Sequence, residues 1–221
     1  MVTINKTLGE ILDGTAEKFP DREVIIFEDK KITYRELNER ANEFAAGLLK
    51  LGIQKGDKVG LWMPNYPEWV IAYFGIVKIG AVVVPMNTRY KTHEVEYILN
   101  NSEAVALVMI DNFVGIDFIK MMNDLRGKIP KLKHVIVLGT PDRDMREFYE
   151  ICEMGKDWKD NKEFEDRKKT LSPDECIFIL YTSGTTGNPK GAMLSHNNMG
   201  TNARDVAGVL KTTEKDRFLL A

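Results

Sequence analysis

Short apolar runs alternate along this chain with longer segments whose apolar residues recur at helical spacing, and that alternation restricts the fold most. Residues 23–27, 58–63, 81–84, 104–110 and 134–138 are strand-length and rich in Val, Ile and Leu. Between them, Leu8, Ile11, Leu12, Ala16 and Phe19 mark one helical face. Leu37, Ala41, Phe44, Ala45, Leu48 and Leu49 mark a second. Further helices are expected over 67–79, 92–100 and 113–125. An uninterrupted apolar run such as 81–84 suits a strand buried on both faces. Strands separated by helices of this length specify βαβ units: an α/β fold with a mostly parallel sheet flanked by helices.

Local signals agree with the period. Thr33 followed by Glu36 is a capping box opening a helix over 34–50, and Gly52 sits where a left-handed helix end favours glycine. Pro67 suits the first position of a helix, with Gly80 after its end. Thr92 and Ser195 are expected caps.

The pattern breaks at 156–169, where eleven of fourteen residues are charged and no apolar face is sustained. A charged linker or surface excursion over 156–172 is expected there, with a docking segment as the alternative. It divides a first α/β subdomain, 1–155, from the start of a second, 173–221. The second holds strands at 176–181 and 191–194, a helix over 195–210 and a last strand at 217–221. So few residues are too small for an independent core, so the second unit reads as truncated.

Basic residues number 31 against 33 acidic, which leaves no broad field for nucleic acid or an anionic membrane. Cys152 and Cys176 are too few for a disulfide framework and fit a reducing compartment. No apolar run approaches the roughly 18–20 residues that cross a bilayer, and the opening stretch does not read as a secretory signal. A cytoplasmic protein is expected. His93, His134 and His196 have no metal-site spacing. His196 is expected as a cap-adjacent surface or packing residue, and Trp62, Trp69 and Tyr73 as core.

The chemistry concentrates in TSGTTGNPKG, residues 182–191, between two apolar strands. Gly184, Gly187 and Gly191 alternate with Thr182, Ser183, Thr185 and Thr186, and Lys190 stands near the end. Glycines let backbone N–H groups converge on an anion, hydroxyls add donors, and the ammonium adds charge. The composition suits phosphate. It is not a Walker A loop, because Pro189 stands where the second glycine is needed and Gly191 follows Lys190 in place of Ser or Thr.

YTSGTTGNPK followed by GAMLSH resembles the phosphate loop of the adenylate-forming (AMP-binding) superfamily of acyl-CoA synthetases and related adenylating enzymes. ITYREL (32–37), GDKVGLWMPNYPEW (56–69) and IVKIGAVVVPMNTRY (76–90) are similar to its N-terminal landmarks, in the family's order. The resemblance covers essentially the whole chain and is strongest to fatty-acyl-CoA synthetases. It implies activation of a carboxylic acid with Mg-ATP as an acyl-adenylate, then transfer to coenzyme A. Thr182, Ser183, Gly184, Thr185, Thr186, Gly187 and Lys190 would hold the ATP phosphates, and Thr182 would also touch Mg²⁺. It further implies that the chain is an N-terminal portion lacking the family's catalytic lysine, and inactive alone. The alternatives are a non-catalytic nucleotide-binding or oligomerisation module, or an adenylating domain for aryl or amino acids. Small-molecule substrates are the expected partners, with a homo-oligomer open.

Overall fold

The computed structural model describes residues 3–182 and 189–219. In chain order the elements are α1 (Leu8–Lys18), β1 (Glu23–Phe27), β2 (Lys30–Thr33), α2 (Tyr34–Lys50), β3 (Lys58–Trp62) and α3 (Pro67–Lys78). Next come β4 (Val82–Pro85), α4 (Thr92–Asn101), β5 (Ala106–Ile110), β6 (Asn112–Phe113), β7 (Ile116–Asp117), α5 (Phe118–Leu125) and β8 (His134–Leu138). The last are β9 (Arg146–Glu147), α6 (Phe148–Met154), α7 (Lys162–Lys169), β10 (Cys176–Thr182), β11 (Lys190–Ser195) and α8 (His196–Val209).

One sheet dominates, in the order β11-β10-β4-β3-β5-β8-β9. All its pairings are parallel except the antiparallel β10–β11 edge. The expected α/β architecture is therefore present. β5 is buried along its whole length, as its apolar run requires. The Thr33 capping box forms: its hydroxyl accepts from the Glu36 N–H at 3.3 Å, and Glu36 accepts from the Thr33 N–H at 2.8 Å. Gly52 has φ +85°, a left-handed conformation that favours glycine.

Lys78 is buried in the middle of this packing. Its ammonium donates to Asp13 at 2.5 Å on α1 and to Asn38 at 2.6 Å and Asn42 at 2.7 Å on α2. Three helices are thus tied at one cation. Burial lowers its pKa to about 8, against the opposing pull of Asp13.

Several expectations are corrected. Residues 113–117 are not helical, because Phe113 and Ile116 pair across a tight hairpin, with Val114 at φ 48° and Gly115 at φ 75°. Lys91, not Thr92, occupies the N-cap position of α4, its N–H donating to Glu94 at 2.8 Å. Residues 156–172 contain α7, anchored by the buried Phe164 ring against Trp158 and by Arg167 on Gln54 at 3.0 Å. One inward ring and a few polar ties order this segment without a sustained apolar face. The sheet also continues across the segment, since β10 pairs with β4. Residues 217–219 form no strand, and Leu220 and Ala221 lie outside the described residues. Phe218 instead borders an apolar groove with Val24, Ile26 and Trp69.

Candidate active site

The hairpin β10–β11 carries the described part of the phosphate-loop motif. Thr182 ends β10 and Lys190 begins β11, and the two are cross-strand partners. The Thr182 hydroxyl donates to the Lys190 carbonyl at 3.4 Å, and both residues are exposed. They bracket the segment between them, each with its side chain accessible to a solute. Ser183, Gly184, Thr185, Thr186 and Gly187 lie outside the described residues. Gly191 is required by close approach: a Cβ there would lie 2.8 Å from Ile179 Cγ2. A larger residue there would force the Ile179 side chain or β11 beside Lys190 to shift.

The base of the hairpin is fastened to the other end of the chain. The Ser195 hydroxyl accepts from the Asn198 N–H at 3.2 Å and caps α8, as expected. His196 is fully buried and its Nδ1 accepts from the Leu8 N–H at 3.0 Å. It is a packing residue, and burial lowers its pKa to about 4. Asn197 accepts from the Asn5 N–H at 3.0 Å and donates to Asp174 at 2.7 Å. Sequence reasoning missed Asn197, and no local signal marks a partner so distant along the chain.

A second concave feature lies at the carboxyl ends of the parallel strands. Within β4-β3-β5-β8-β9 the chain order reverses at β3, and ligand crevices of open α/β sheets form at such switch points. A cavity of about 660 Å³ opens there, its lining including Met63, Asn65, Asn87, Thr88, Arg89 and Phe113. Trp69 also lines it, while Trp62 and Tyr73 are core. The Trp62 indole donates to the Asn87 carbonyl at 3.0 Å, and burial raises the Tyr73 pKa. Sequence reasoning did not single out Arg89, because a lone arginine in a loop carries no periodic signal. Among the described residues no three His, Cys, Asp or Glu side chains gather to hold a metal ion.

With this geometry in place, residues 12–221 match the family model described as AMP-binding enzyme. The chain belongs to that family. This AMP-binding chain is 34% identical over 232 residues to YngI of Bacillus subtilis (strain 168), provisionally named an acyl-CoA synthetase. The match takes in 98% of the chain and 42% of YngI. It is 32% identical over 236 residues to the mitochondrial medium-chain acyl-CoA ligase ACSF2 of Rattus norvegicus, covering 98% of the chain and 38% of that protein. The chain thus spans well under half the length of these curated relatives. Among solved structures, the anthranilate CoA ligase AuaEII in complex with anthranoyl-AMP superposes with a TM-score of 0.76 at 29% identity. That match covers 92% of this chain and 37% of AuaEII.

Among the described residues of this AMP-binding chain, no helix is long and apolar enough to cross a membrane.

Proposed function

We propose that this chain is the N-terminal, phosphate-holding portion of an ATP-dependent acid–CoA ligase. The observation that carries the reading is the hairpin itself: Thr182 and Lys190, both exposed, are cross-strand partners at the two ends of the Gly/Ser/Thr-rich sequence. Residues Thr182, Ser183, Gly184, Thr185, Thr186, Gly187 and Lys190 hold the triphosphate of ATP. Hydrogen bonds to charged groups contribute about 1.5–3 kcal/mol each, enough for several together to order a glycine-rich segment. The Thr182 hydroxyl is an oxygen ligand of the type Mg²⁺ prefers, and the ion would enter with ATP and neutralise phosphate charge. The chain's own contribution is to bind and orient the polyphosphate, so that the α-phosphorus is presented to the carboxylate. The crevice beneath Arg89 is of small-molecule size and supports small-molecule substrates.

The acid is fatty-acyl in this reading, in line with the acyl-CoA synthetase relatives; the aryl likeness of AuaEII makes an aryl acid the second reading. Two unpaired cysteines support a cytoplasmic setting. The isolated chain does not complete the reaction. Carboxylate-dependent ATP–pyrophosphate exchange tests this directly, using a panel of fatty and aryl acids. It is expected to be absent for residues 1–221 and present once the polypeptide is extended to the length of its relatives. Exchange by the short chain alone contradicts the proposal.

A further inference from the structure

Both flanks of the 183–188 segment are tied to one face of one helix. Tyr97 and Asn101 stand four residues apart on α4 and so project from the same side. The Tyr97 hydroxyl donates to the Pro189 carbonyl at 3.1 Å, immediately before Lys190. Asn101 Oδ1 accepts from the Tyr181 hydroxyl at 2.6 Å, immediately before Thr182. The two phenol rings meet edge to face, their centroids 6.4 Å apart and their planes at 85°. Tyr181 is buried, so its hydroxyl needs the partner that Asn101 supplies. Among the described residues β11 is an edge strand of the sheet, with β10 as its one neighbour. Pairing with β10 sets the spacing of Thr182 and Lys190, and β10 is registered on β4 at Phe178, so it is the end of the hairpin beyond that pair, not the whole hairpin, that can still move. The two side-chain bonds to α4 restrain that motion at the end where the hydroxyl and the ammonium emerge.

We infer that Tyr97 and Asn101 are positioning residues that clamp the two flanks of the hairpin to α4 and hold Thr182 and Lys190 in register for a polyphosphate. The inference rests on the phosphate reading for its ligand, but the clamp itself is measurable without one. Lys190 is exposed and lies in the clamped flank, so tryptic cleavage after it reports opening of the hairpin end. Tyr97→Phe deletes one hydroxyl and keeps the ring. It is expected to speed cleavage after Lys190 about fivefold in the folded chain, with the melting temperature and cleavage at lysines elsewhere unchanged. Asn101→Leu is expected to speed cleavage after Lys190 likewise from the other flank, with a modest fall in melting temperature because the buried Tyr181 hydroxyl loses its partner. Tyr149→Phe, which removes a hydroxyl bonded to Glu68 on α3, serves as the control and leaves the rate unchanged.

Mg-ATP is then titrated into the same proteins, where Tyr97→Phe is expected to weaken binding by a similar factor. Unchanged cleavage after Lys190 in both Tyr97→Phe and Asn101→Leu overturns the clamp, whatever the ATP affinity. Faster cleavage in a chain whose wild type binds no ATP keeps the clamp and removes the phosphate reading. Faster cleavage with wild-type ATP affinity keeps the tether but overturns its positioning role.

Discussion

The parallel strands β4-β3-β5-β8 and the hairpin β10–β11 with α8 are built from similar apolar runs, yet they are buried very differently. β5 is enclosed on both faces, whereas Leu180, Met193 and Val209 of the hairpin unit are 42%, 67% and 82% exposed. The enclosed strands carry stability. The hairpin carries the motif, and its outer strand β11 is exposed over its first four residues. Functional segments are commonly drawn from such low-stability regions, because a site that must admit and release a ligand cannot be sealed in the core. Pairing of β10 with β4 and the buried side chains of Ile177, Phe178 and Ile179 hold the inner strand, and polar ties to Leu8 and Asn5 at the base and to α4 at the tip add to them.

The contrast is broken most severely at Lys78. Lys78→Ala removes the donor shared by Asp13, Asn38 and Asn42 and empties buried space, at an expected cost of about 2–5 kcal/mol. Urea unfolding followed by tryptophan fluorescence measures it. A loss below about 1 kcal/mol would show that the three-helix junction is not where the enclosed region draws its stability.

Acid acts on the other region. His196 titrates at about 4 in the folded protein against an ordinary 6.5, so the unfolded chain takes up the proton first. Its contribution is complete above pH 6.5 and is lost as pH falls towards 4, by about 3 kcal/mol at 1.36 kcal/mol per unit. Glu10 and Glu175 pull the other way and moderate the loss. His196→Asn, which keeps an acceptor near the Nδ1 position, is expected to flatten this dependence between pH 7 and 4.5. An unaltered pH profile in that variant would place the acid sensitivity elsewhere.

The turn at Val114 sharpens the comparison by a smaller amount. A β-branched residue at φ 48°, 81% exposed, holds a left-handed conformation that asparagine tolerates better. Val114→Asn is expected to raise stability by about 1 kcal/mol, read as a higher urea midpoint. Smallest of all, Met193→Ser on the exposed face of β11 is expected to change stability by less than about 0.5 kcal/mol. A large loss there would mean that the hairpin face is more enclosed in solution than in the structure.

The enclosed region was the more legible in sequence for the same physical reason that it is stable. Burial on one or two faces forces a period, and α2 begins and ends where its capping box and apolar stripe place it. Helix α7 was not legible, because one buried ring among charges leaves no period to detect. Nor was the β6–β7 hairpin, where Val-Gly replaces the Asn-Gly or Asp-Gly that usually announces such a turn. At the candidate site, residue types and their order identified the segment, and the structure adds the cross-strand placement of Thr182 and Lys190. The ties of Asn197 to Asn5, Tyr97 to Pro189 and Asn101 to Tyr181 bridge partners 192, 92 and 80 residues apart, which no local pattern encodes.

The central claim, that this hairpin holds a polyphosphate, is tested most directly by calorimetric titration of Mg-ATP into the chain and its Lys190→Met variant. Binding by the wild type, weakened about tenfold or more in the variant, is the predicted result. Equal affinity in the two proteins, or no binding by the wild type, would contradict it.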